Sequence, residues 1–298
     1  MKKLYIIGNG FDLYHSLPSR YADFHQHIAV HEPDLLQELD SYFNFRVDKN
    51  YLWSNFEQDL CHFNHKRFMA AYNHIDIMSD SFKPSEFYSL FDEVTAESER
   101  LAEQIRGAFR EWVEAFELDE IDHTRYTPLL LDQDAAYINF NYTDTLEEIY
   151  QIPKNRILYI HHNANAYDGE LIFGHGKKRD QKEIPTIDEG GEPTRTPYTD
   201  SENTSRSLFY VFQKNTKEVL KEHRKWFGTL KKVEEVIILG HSIGRVDWPY
   251  FKEISKQAPL AEWIVSYYGE KELAKLKKYA ARFCRHQNIQ MITFNDII

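Results

Sequence analysis

Two asparagines bracket a phenylalanine in "YINFNYTDTLEEIY", residues 137–150, where an apolar run delivers Asn139, Asn141, Tyr142, Thr143 and Asp144 to the start of a helical pattern. At the carboxyl end of a strand in an open α/β sheet, such residues face the crevice that binds ligands, where carboxamides can hydrogen-bond a ribose or orient a water. Thr143 or Asp144 also fits a helix N-cap ahead of Leu146 and Ile149, which accounts for one polar residue and leaves the asparagines. Further on, "ILYIHHNAN" (157–165) ends a second apolar run in His161 and His162. A histidine there can act as a general base near neutral pH without much tuning, with a structural role as the competing reading. "FGHG" at 173–176 adds His175, either a third group for the same cleft or the occupant of a glycine-flanked turn. Three histidines without a carboxylate at matching spacing predict no metal site.

Two glycine turns complete the set. The first, "YIIGNGFDLY", carries Gly8, Asn9, Gly10, Phe11 and Asp12 after an apolar run. A strand that ends in Gly-x-Gly and turns into a helix brings backbone N–H groups near a phosphate or ribose. Leu13 stands where a dinucleotide fingerprint has its third glycine, and no strand ending in an acidic residue follows at the expected distance, so hydride transfer is not the expected chemistry. The second, "VIILGHSIGRVDWPYF" (236–251), places Gly240, Ser242 and Asp247 after another apolar run. Gly-His-Ser-Ile-Gly also fits the nucleophile elbow of α/β-hydrolases, which requires a later acid and then a histidine; Asp247 and His286 are what the sequence offers. The alternative is that Ser242 and the backbone at Gly240 hold a phosphate or ribose while Asp247 caps the helix containing Trp248 and Tyr250.

Short apolar runs position these residues. Leu4–Ile7, Ala136–Phe140, Ile157–Ile160, Val236–Leu239, Trp263–Ser266 and Gln290–Phe294 predict buried parallel strands, because each is too short for a buried helix. Between the first and second lies helical patterning, so residues 20–130 are expected to be a helical insertion within a single α/β domain, a Rossmann-like mostly parallel sheet, over 1–298. In that stretch, Glu86–Phe116 has apolar residues at helical spacing and reads as one long helix or two. Glu57 follows Trp53 by four residues and reads as an exposed helical glutamate or as a carboxylate that covers the site. Residues 177–203 have almost no apolar periodicity and predict a long surface loop.

With 36 Lys+Arg against 47 Asp+Glu, the net charge of −11 does not favour a broad nucleic-acid surface. The basic stretches 221–232 and 271–286 have helical spacing and read as solvated faces. Two cysteines far apart, Cys61 and Cys284, predict neither a disulfide framework nor zinc. The apolar stretch near the start is too short for a signal peptide, and no run is long enough for a membrane span, so a soluble cytoplasmic protein is expected.

Taken together, "YIIGNGFDLYHSLPSRYADF", "WSNFEQDL" at 53–60, "INFNYTDTLEEIY", "YIHH" and "ILGHSIGRVDWPYF" resemble the AbiH family of bacteriophage abortive-infection proteins. More distantly, the chain is similar to Sir2-like proteins, which include defence effectors that cleave NAD. Gly8 and Gly10 match that group's first glycine turn, Asn141 with Tyr142 its asparagine element, His161 its histidine, and Gly240, Ser242 and Asp247 its late element. Thr143 replaces the usual acidic residue, with Asp144 one later, and His162 replaces the glycine after the histidine. The resemblance implies a Sir2-like Rossmann core that binds an NAD-type nucleotide and hydrolyses its nicotinamide–ribose bond, with Asn141 and His161 catalytic. Gly8, Asn9, Gly10, Phe11, Asp12, Asn139, Tyr142, Asp144, Gly240, Ser242 and Asp247 would then bind NAD, without a metal. It implies a phage-derived trigger, and leaves oligomerisation open. The alternatives are a nuclease or phosphotransferase acting on nucleic acid, and a non-catalytic nucleotide-binding sensor.

Overall fold

The computed structural model describes residues 2–45, 53, 55–118, 124–166, 169–178, 187–194, 196–284 and 289–297. The chain folds as two compact units. One comprises Met1–Arg20, Arg110–Ile172 and Asn215–Ile298, the other Tyr21–Phe109 and Phe173–Lys214. In chain order the elements begin with β1 (Lys3–Ile7), α1 (Asn9–Tyr14), α2 (Tyr21–His31), α3 (Pro33–Tyr42), α4 (Phe56–Asp59), α5 (His65–Tyr72) and α6 (Glu86–Glu114). Next come β2 (Ala136–Asn139), α7 (Thr145–Glu148), β3 (Ile157–Tyr159), α8 (Pro197–Thr204), α9 (Ser207–Val211), α10 (Thr216–Glu222) and α11 (Arg224–Phe227). The last are β4 (Glu235–Leu239), α12 (Trp248–Gln257), β5 (Glu262–Ser266), α13 (Glu270–Ala280) and β6 (Ile289–Ile292).

The first unit holds a six-stranded sheet in the order β3-β2-β1-β4-β5-β6, and every pair is parallel. Its central strands read as unbroken apolar runs because both faces are covered. Leu4, Ile6, Ile138, Val236, Ile238, Trp263 and Val265 face one core with Phe251 and Ile254 of α12 and Leu276 of α13. Tyr5, Ile7, Tyr137, Ile237 and Leu239 face the other with Phe11, Leu146 and Tyr150. Burying each of the larger side chains contributes about 1.5–3 kcal/mol, which is what holds a sheet so short in its strands. The sixth strand ends before the expected Phe294. Asp296 accepts from Thr293 N at 2.6 Å and Thr293 Oγ1 at 2.8 Å, which closes a turn there.

The second unit is built of helices and includes α6, a single helix from Glu86 to Glu114, as far as Phe109. Phe24, Trp53, Phe56 and Phe109 pack ring to ring at its centre, with Trp53 and Phe56 stacked at 5.0 Å. Glu57 is not an exposed helical glutamate. Its carboxylate takes an ion pair from buried Lys214 at 2.5 Å, a bond from Gly174 N at 3.2 Å and another from the Tyr21 hydroxyl. The expected loop at 177–203 contains α8, started by a capping box in which Thr196 and Thr199 bond each other's backbone amides. Caps rather than apolar periodicity establish that helix; residues 179–186 and 195 of the same stretch lie outside the described residues.

Candidate functional site

The strand order reverses between β1 and β4, with β2 and β3 to one side and β5 and β6 to the other. In open α/β sheets the crevice outside the carboxyl ends of the strands at such a switch point is where ligands bind. Here the two turns that leave those strands are packed backbone to backbone. Gly8 N donates to Leu239 O at 3.0 Å and Gly10 N to Gly240 O at 2.8 Å. Gly240 has φ +65°, and a Cβ there would lie 2.2 Å from Phe11 N, so only glycine fits. The glycines therefore supply close approach, and the Gly8 and Gly10 amides already have acceptors. Gly240 N is held by Ser266 Oγ of β5 at 2.9 Å. Asn9 is exposed, and its Nδ2 donates to Ser19 O at 2.7 Å.

Asp12, beneath this turn, is only 2% exposed. Thr143 Oγ1 donates to one of its carboxylate oxygens at 2.8 Å and Thr145 Oγ1 to the other at 2.9 Å. Burial pushes the Asp12 carboxyl up to about 6, against the pull of the bonds from Thr143, Thr145 and Asn141. The threonine next to Asp144 thus ties α1 to the β2 loop and does not cap α7. Asp144 sits at the N-cap position of α7 without a side-chain capping bond, and its Oδ1 instead accepts from Asn165 Nδ2 at 2.9 Å.

The two asparagines brace one another. Asn139 Oδ1 accepts from Asn141 N at 3.0 Å, and Asn139 Nδ2 donates to Thr143 O at 3.2 Å. Asn141 Nδ2 reaches Gly8 O at 3.2 Å, so the end of β2 is fixed to the turn after β1. Tyr142 is half-buried, its hydroxyl donates to Ile172 O at 3.2 Å, and its ring lies roughly parallel to His161 at 6.1 Å.

His161, 2% exposed, sits at the end of β3 with Nδ1 3.3 Å from Phe140 O and Nε2 3.9 Å from Asp247 Oδ1. The other Asp247 oxygen lies 3.7 Å from Nε2 of His241, the residue that follows Gly240. Asp247 precedes α12 at its N-cap position but makes no side-chain capping bond; its carboxylate faces two imidazoles instead. Phe140 packs edge-on between them, with ring centroids 5.3 Å from His161 and 4.4 Å from His241. Tyr250 is fully buried at 6.2 Å from His161, and its hydroxyl makes no hydrogen bond among the described residues. Its proton is held tightly, by burial first and then by the nearby Asp247 charge.

Ser242 is exposed, while the positive φ values nearby fall on Gly240 and Ile243 (+48°), so the serine is not the strained residue of a nucleophile elbow. His286, the histidine such a site would need, lies outside the described residues. His162 has φ +68° and bonds Glu170 O at 2.8 Å through Nδ1. His175 belongs to the helical unit, where Nε2 donates to Phe209 O at 2.8 Å and Nδ1 accepts from Lys177 N at 3.2 Å. Burial lowers it to about 4, which keeps it neutral. No three His, Cys, Asp or Glu side chains among the described residues are arranged to hold a metal ion.

The strand ends thus bring together Gly8, Gly10, Asp12, Asn139, Asn141, His161, Gly240 and Asp247 in one sheet unit. His241 and Tyr250 were not singled out by the sequence reading, though a histidine directly after the β4 glycine was a signal in plain view. Fold and site define an α/β protein with an all-parallel sheet, covered on both faces, that carries a polar cluster at its switch point. The family model described as "Bacteriophage abortive infection AbiH" matches residues 4–267, and the chain belongs to that family. Neither the curated proteins nor the solved structures searched give a match. Family membership gives an abortive-infection function against bacteriophage. No helix among the described residues is long and apolar enough to cross a membrane.

Proposed function

We propose that this protein acts in abortive infection by binding an NAD-type nucleotide at the switch point of a Sir2-like Rossmann core and hydrolysing its nicotinamide–ribose bond. The supporting observation is that Asn141 and His161 leave adjacent strand ends beside the turn after β1. In this reading the C1′–N bond breaks with its electron pair going to the nicotinamide ring, and a water oxygen bonds to the oxocarbenium-like carbon. His161 takes the proton that the water gives up, and Asn141 orients the water or the ribose. Gly8, Gly10 and Gly240 let the two turns pack closely enough for Asn9 and Ser242, both exposed, to offer polar groups to phosphate and ribose. In this reading residues 20–130 are a helical insertion after the first strand, supported by the helical unit's taking up Tyr21–Phe109 of that stretch.

The test is to incubate purified protein with NAD⁺, alone and with phage-infected lysate, and to follow free nicotinamide by chromatography beside Asn141→Ala and His161→Ala. Release by the wild type and loss in both variants is the expected result. NAD⁺ recovered intact under both conditions overturns the reaction.

A further inference from the structure

His161 and His241 approach the two oxygens of one buried carboxylate, and the backbone fixes their rings in opposite tautomers. A carbonyl only accepts, so His161 Nδ1, 3.3 Å from Phe140 O, carries a proton. In the neutral ring Nε2 is then the basic nitrogen, 3.9 Å from Asp247 Oδ1. His241 is set the other way. Its Nδ1 accepts from Ile243 N at 2.9 Å, so its proton is on Nε2, which lies 3.7 Å from Asp247 Oδ2. The turn that makes this bond puts Ile243, buried and β-branched, at φ +48°, a conformation such residues rarely hold unless their surroundings impose it. A methyl group at Gly8 would lie 2.6 Å from His241 Cα, so the turn after β1 holds the same residue from the other side.

We propose that His241 and Asp247 are positioning residues for His161: His241 Nε2–H orients the Asp247 carboxylate, and that carboxylate stands beside the His161 nitrogen that receives a proton. The inference gives the base of the proposed hydrolysis its tautomer and its counter-charge, and its catalytic part rests on that reading. Its structural part does not, because tautomers are observable without turnover.

The full-length protein labelled with ¹⁵N-histidine is studied by long-range ¹H–¹⁵N correlation, with His161→Gln and His241→Asn identifying the two rings by their lost signals. The expected spectra show His161 protonated at Nδ1 and His241 at Nε2. A His161 ring protonated at Nε2 alone overturns the proposal. Nicotinamide release then separates positioning from packing. His241→Asn keeps an acceptor for Ile243 N but cannot reach Asp247, and kcat is expected to fall at least 10-fold with KM unchanged. His241→Gln returns an amide N–H to the Nε2 position and is expected to recover most of that loss. Equal loss in both folded variants reduces His241 to a packing residue and overturns its role. If the wild type releases no nicotinamide, the hydrolase reading fails while the spectra still decide the tautomers.

Discussion

Asp12 gives a prediction whose sign runs against the usual effect of acid on a folded protein. Its carboxyl is raised from 3.8 to about 6, chiefly by burial. Each tenfold change in proton affinity corresponds to about 1.4 kcal/mol, so folding strengthens proton binding at Asp12 by about 3 kcal/mol. Below about pH 4 the group is protonated whether the chain is folded or not. Between about pH 4 and about pH 6 the unfolded chain releases a proton that the folded chain keeps, so native stability falls as pH rises. Above the folded value that contribution is lost. Asp12→Asn has the same shape without the titration, and its carboxamide can accept from one threonine hydroxyl and donate to the other. Urea unfolding of both proteins, followed by circular dichroism across this range, should show the variant gaining about 3 kcal/mol over the wild type between about pH 4 and about pH 6, with the difference flat outside it. A difference independent of pH, or one that shrinks as pH rises, would refute burial as the dominant influence on Asp12.

His175 should behave in the opposite way: folded, it titrates near 4 against 6.5 unfolded, so its contribution is complete above about pH 6.5 and is lost as pH falls through about 4. His175→Gln should remove about 3 kcal/mol of acid sensitivity from the unfolding of the helical unit, measured by the same titration. Gly240→Ala should destabilise the sheet unit by more than about 2 kcal/mol, because a left-handed backbone and a Cβ 2.2 Å from Phe11 N must both be accommodated; thermal melting monitored by circular dichroism checks it. Tyr250→Phe removes a buried hydroxyl that makes no hydrogen bond among the described residues, and should leave stability unchanged or raise it by about 1 kcal/mol in urea unfolding.

The strands were legible in the sequence because a parallel sheet covered on both faces needs unbroken apolar runs, and Leu4–Ile7 or Val236–Leu239 can hardly be read otherwise. Their ends moved by a residue or two wherever hydrogen bonding, not hydrophobicity, decides the boundary, as Thr293 and Asp296 do after β6. The helix α8 was hidden for the same reason, since its sequence "PYTDSENT" has no apolar residue after Tyr198 and its start is established by Thr196 and Thr199. Among site residues, position along the chain was easier to read than partner. Asp12, Asp144 and Asp247 were all recognised as polar groups at strand ends or helix starts. The partners of the first two, two threonines and Asn165, and one partner of Asp247, His161, come from other loops that meet only when the strands align, whereas His241 lies on the same β4–α12 connection as Asp247.

That difference bears on how the switch point should be approached chemically. A dinucleotide fingerprint uses its glycines to free backbone amides for a pyrophosphate. In this sheet the corresponding amides at Gly8 and Gly10 donate to Leu239 and Gly240, so the turn after β1 is welded to the turn after β4. The welding has a geometric consequence: Gly8 lies so close to His241 that a Cβ there would be 2.6 Å from its Cα, Asn141 bonds Gly8, and Phe140 lies between the two imidazoles. A displacement of any one of these turns is therefore passed to the carboxylate that both histidines face. Substitutions at Gly8 should perturb the His161–Asp247–His241 geometry before they perturb the sheet, and the histidine ring signals are where that would be read first.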